Sequence, residues 1–100
     1  MGTLTYDSTI TAEFDDRTLA HLQVVIWSKL RRGEHFAFTF GDESPPAQRT
    51  SVWCNPAIPM VFRFDQPDPA ELNTRWLELL TKSANSAAGL RPVPEPEVAS

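Results

Sequence analysis

Residues 15–33 read DDRTLAHLQVVIWSKLRRG, and their reading decides the fold. Leu19, Leu22, Ile26 and Leu30 recur at helical spacing, with Val25 and Trp27 widening the stripe, so one side of an α-helix is apolar. Asp15 or Asp16 can accept hydrogen bonds from the first free backbone N–H groups. Gly33 can take the left-handed conformation that ends a helix, and Lys29, Arg31 and Arg32 suit the negative end of its dipole.

Outward from this helix the period changes. On its N-terminal side, Thr3–Tyr6 and Thr9–Phe14 read as a hairpin around Asp7-Ser8, with Leu4 and Tyr6 sharing one face of the first strand and Ile10, Ala12 and Phe14 one face of the second. No glycine supplies the positive φ of the commonest tight hairpin turns. On its C-terminal side, Phe36, Phe38 and Phe40 alternate along a strand. A polar loop from Gly41 to Gln48 with Pro45-Pro46 follows, then a strand over Arg49–Cys54 that ends at Asn55-Pro56. Met60, Phe62 and Phe64 share a face of a further strand. A second helix is expected from Asp68, with Pro69 in its first turn, Glu71 three residues past the cap, and a stripe of Leu72, Trp76, Leu79 and Leu80. Trp27 and Trp76 are both expected to be buried.

The order is therefore ββα-ββ(β)-α. Short connections imply one antiparallel sheet of four to five strands with two amphipathic helices packed on one face, an α+β domain over residues 1–90. Arg91-Pro92-Val93-Pro94-Glu95-Pro96 cannot pair inside a sheet, so residues 91–100 are expected to form a Pro-rich disordered tail.

One hundred residues with 41% apolar and 22% charged content suit one globular domain. A net charge of −4 argues against general nucleic-acid binding. Cys54 is alone, which excludes an intramolecular disulfide and fits a small buried apolar residue. No stretch approaches the roughly 20 apolar residues of a membrane span. The first residues carry neither signal-peptide pattern nor, with Tyr6 in place of Ser or Thr, a myristoylation motif. The expected location is the cytoplasm.

Three runs, Glu13–Leu22, Lys29–Glu34 and Ala84-Asn85-Ser86 with Gly89-Leu90 and Val93-Pro94-Glu95-Pro96, resemble a small actinobacterial domain family of unknown function. Its members often carry the automatic label "ATP-dependent DNA ligase". The resemblance implies an uncharacterised small domain and carries over no catalytic residue. Adenylylation needs a lysine in a Lys-x-Asp-Gly setting. Here Lys29 precedes Leu30-Arg31, and Lys82 precedes Ser83-Ala84.

Four constellations are candidates for function. At 100° per residue Arg17, His21, Ser28 and Arg32 fall on one helix face, with Val24 among them and Arg31 just outside. Such a stripe can contact phosphates or an acidic partner, or simply be a solvated face. His21, His35 and Cys54 stand 14 and 19 residues apart, which matches no zinc pattern, so no metal and no cofactor is expected. Glu13, Asp15, Asp16 and His21 supply acid and base groups, but no nucleophile, oxyanion donor or phosphate loop accompanies them. The aromatic strands read as core rather than as a stacking platform, because the Phe-rich strand lacks interleaved Arg or Lys. Trp53 alternates with Val52 and Cys54, and if it faces outward it marks a contact surface or a dimer edge. The expectation is a non-catalytic interaction or accessory domain with an unknown protein partner or self-association. A DNA-associated accessory protein using the basic face and a small enzyme centred on His21 are the alternatives.

Overall fold

Asp15 caps the first helix by accepting the Thr18 N–H at 3.2 Å. At the other end Gly33 takes φ +75°, its N–H bonds the Leu30 carbonyl, and the Glu34 N–H reaches back to Lys29. That is the paired closure of a Schellman motif. Both ends of the helix are thus written in adjacent residues.

The computed structural model describes residues 1–41 and 48–97, in the order β1 (Gly2–Tyr6), β2 (Ile10–Phe14), α1 (Asp16–Arg31), β3 (Phe36–Gly41), β4 (Arg49–Cys54), β5 (Met60–Arg63) and α2 (Thr74–Ala84). Most of the loop expected between Gly41 and Gln48 lies outside the described residues. The hairpin turn solves its lack of glycine by force: Asp7 and Ser8 both take positive φ, at 55° and 59°, and the Thr9 N–H donates to the Tyr6 carbonyl.

The strands form two antiparallel sheets rather than the single sheet expected, one ordered β2-β1-β5 and the other β3-β4. β1 has both edges occupied by β2 and β5. β3 is flanked by β4 and, on its other edge, by Leu90, which donates to the Ala37 carbonyl and accepts from the Thr39 N–H. Among the described residues, no backbone ladder joins the two sheets. Side chains join them instead. Phe14 at the end of β2 stacks on Phe38 and lies edge-on to Phe40, at 6.3 and 6.0 Å between ring centroids. Leu19, Leu22 and Ile26 of α1, Leu80 of α2 and Phe38 are fully buried in one core. Each such side chain contributes about 1.5–3 kcal/mol of burial.

Three expectations are corrected. Trp27 is 46% exposed and packs only edge-on against Phe62 at 5.7 Å, because it lies on the side of α1 away from Val25 and Lys29, which are buried. α2 begins at Thr74, not Asp68: the Asn73 side chain accepts from Arg75 and Trp76 N–H groups and takes the cap, leaving Leu72 outside the helix and 45% exposed. Residues 91–97 are not a loose tail. The Trp76 indole N–H donates to the Val93 carbonyl at 2.8 Å, and Glu95 and Pro96 are both held by side chains.

Candidate functional site

The basic face expected on α1 comes apart in three dimensions. Arg17 is committed: Nε and Nη2 donate to the two carboxylate oxygens of Glu95 at 2.7 and 2.6 Å, and Nη1 donates to the Glu71 carbonyl at 2.8 Å. Arg32 donates from Nε to Glu34 at 2.8 Å. Arg31 and Ser28 are exposed, and Val24 is half-buried. Of the stripe, Arg17 and Val24 line one groove together.

His21 is fully buried against Trp76, with ring centroids 4.3 Å apart. Its Nε2 accepts the backbone N–H of Asn73 at 2.8 Å, which fixes the proton on Nδ1, where it is donated to the Arg17 carbonyl at 2.7 Å. Both ring nitrogens are used inside the fold. Of the acid and base groups near it, Asp15 caps the helix and Glu13 is exposed. Asp16 accepts backbone N–H groups from Gln66 and Asp65 at 2.8 and 3.2 Å, which hold its carboxyl below the usual range. His35 is exposed beside Trp53, while Cys54 is buried and burial pushes its thiol up to about 12. Among the described residues, no three His, Cys, Asp or Glu side chains gather as metal ligands would.

What the sequence did not show is the strap from Asp65 to Glu71. Two neighbouring residues of α1 pin its two ends: Asp16 takes the Asp65 and Gln66 N–H groups, and Arg17 takes the Glu71 carbonyl. Between those pins Pro67 and Pro69 keep the chain from closing into regular structure. The space left between is a groove of about 540 Å³. Ala20, Val24, Phe64, Pro67 and Leu72 supply apolar lining, and Asp68 and Glu71 place carboxylates beside it. Leu72 is 45% exposed there. Neither Leu72 nor Phe64 carried a sequence signal for this role, because only the pins bring the strap to the helix.

A second exposed surface lies on β4. Trp53 is 61% exposed, while its strand neighbours Val52 and Cys54 are buried. The expectation that one of the two alternating sets faces outward is resolved with Trp53 outside.

A family model covers residues 1–95, nearly the whole described chain. The chain belongs to the DUF7882 family, described as a domain of unknown function. That DUF7882 match runs through the clasp on Glu95 and names no reaction. No curated protein and no solved structure matches the chain. No helix among the described residues is long and apolar enough to cross a membrane.

Proposed function

We propose that this domain is a non-catalytic interaction module that receives a short apolar segment of a protein partner in the groove between α1 and the 65–71 strap. The observation that carries the reading is the groove itself: about 540 Å³, with Val24, Phe64 and Leu72 as lining and a strap pinned at both ends. That volume falls within the roughly 300–1,000 Å³ of binding clefts. Among the described residues the Asp68 and Glu71 side chains make no ion pair, and the chain's net charge is −4, so the fitting segment is apolar with a Lys or Arg beside it.

Selection of displayed peptides against the wild-type domain tests this, with counter-selection on Val24→Asp. The expected result is a pool with an apolar centre and a basic flank, whose members lose about tenfold or more in affinity for Val24→Asp and Leu72→Asp. A pool that binds those variants as well as wild type would overturn the reading.

The nucleic-acid alternative draws less support, since Arg17 and Arg32 are each paired with a glutamate and the groove's free charges are acidic. The enzyme reading centred on His21 needs a ring nitrogen free to exchange a proton with substrate, and both are hydrogen-bonded within the fold.

A further inference from the structure

We propose that β4 is a docking edge for a second copy of this chain, paired antiparallel about a two-fold axis through Ser51. The inference is independent of the groove.

The direction of the β4 backbone follows from β3. The Ala37 carbonyl and the Thr39 N–H bond Leu90, so these residues turn their backbone groups away from β4. The register pairs Ala37 with Trp53 and Thr39 with Ser51. Those are therefore the non-hydrogen-bonded positions of the ladder, and Trp53, Ser51 and, by alternation, Arg49 direct their N–H and C=O groups to the outer edge. The Tyr6 hydroxyl confirms the direction by donating to the Trp53 carbonyl at 2.6 Å, which leaves that oxygen a second lone pair. Among the described residues, no backbone hydrogen bond outside the β3–β4 ladder reaches Arg49 or Ser51. All three residues are exposed. An edge of this kind, with no inward-pointing charge and no proline among the three, is a template for another strand.

The side chains select the occupant. When β4 pairs with its own copy about Ser51, the antiparallel register sets Ser51 opposite Ser51 and Trp53 opposite Arg49, twice over by symmetry. Side chains at alternate positions share a face, so the guanidinium of one copy meets the exposed indole of the other. Trp is the best of the rings for a cation–π contact, and Arg is the side chain more often found over it. The edge is thus complementary to itself in one register, with both surplus features, an exposed Trp and an exposed Arg, used together.

Sedimentation over a concentration series reads the outcome. Wild type is expected to dimerise, and Trp53→Lys, which sets two cations face to face, to raise the dissociation constant about tenfold or more. Trp53→Lys combined with Arg49→Glu restores opposite charges and is expected to recover the dimer. Ser51→Cys should give a disulfide-linked dimer under mild oxidation, because opposed residues across such a ladder stand about 5.5 Å apart at Cα, within disulfide reach. Wild type, whose lone Cys54 is buried, serves as the uncross-linked control. A chain that stays monomeric up to about 1 mM would overturn the proposal. So would a dimer that tolerates Trp53→Lys and leaves Ser51→Cys uncross-linked. Val24→Asp, which tests the groove, is expected to leave the dimer unchanged.

Discussion

Arg17 and Glu95 lie 78 residues apart in sequence and share two hydrogen bonds, guanidinium to carboxylate, at 2.7 and 2.6 Å. The same carboxylate accepts from Asn73, whose backbone N–H donates to His21. The start of α1, the cap of α2 and the final segment are thereby joined in one polar network, and every buried side-chain polar atom among the described residues has a partner.

Acid should open this network first. Arg17, and then Asn73, hold the Glu95 carboxyl down from 4.5 to about 2. The folded chain therefore binds the Glu95 proton less tightly than the unfolded chain does. Its contribution is fully present above pH 4.5 and is lost as pH falls towards 2. Amide exchange at Leu90 and Trp76 emission should change across that window in wild type. In Glu95→Gln the clasp should be loosened already at neutral pH, without the acid step. Identical pH profiles in the two proteins would show that the clasp does not titrate through Glu95.

The two helix tryptophans should differ sharply in urea melts. Trp76 is 3% exposed and its truncation to Ala is expected to cost about 3–5 kcal/mol. Trp27 is 46% exposed, and Trp27→Ala should cost about 0.5–1.5 kcal/mol, the worth of its edge contact with Phe62. Equal losses would mean that Trp27 is buried in solution.

Asn73→Ala should destabilise by about 1–2 kcal/mol, since the side chain caps α2. Asp68→Ala, at the cap position suggested by the local pattern, should stay within about 0.5 kcal/mol. Chemical denaturation of both variants checks the start of α2 directly.

Ser8 carries a side chain in the left-handed region at φ 59°. Ser8→Gly should therefore raise stability, by about 0.5–1 kcal/mol after the entropy of the added glycine is counted. A drop in midpoint would contradict the turn geometry.

What the sequence made legible was local. α1 could be read to within a residue, with the cap left between Asp15 and Asp16, because Asp15 and Gly33 act on backbone groups within a turn of themselves. The Phe36-Phe38-Phe40 alternation likewise marked β3, and Trp53 was recognisable as an outward candidate before its edge was known. The misplaced start of α2 and the misread final segment share one cause, a distant partner that overrides a local pattern, whereas Trp27 was assigned to the wrong side of its own helix. Asp68-Pro69 resembles a helix start as well as Asn73 does, but the Asn73 N–H is claimed by His21, on another helix. Val93 to Pro96 has no periodicity to betray that Trp76, Asn73 and Arg17 wait to hold it. The groove was invisible for the same reason: its lining residues meet only after Asp16 and Arg17 have caught the strap.

Leu90 occupies the outer side of β3 through one parallel bridge, and Gly89 makes that approach possible, since a Cβ there would come within 2.6 Å of the Ala37 carbonyl. This small plug gives the β3–β4 ladder a polarity, with the β3 side stoppered by backbone and the β4 side met, among the described residues, by the Tyr6 hydroxyl at the Trp53 carbonyl. A ladder open on both sides can recruit chain after chain into a fibre; a ladder open on one side is exhausted by its first partner. If a second copy pairs on β4 as proposed, growth through this sheet ends at two copies, and the residue that sets that limit, Leu90, is not on β4.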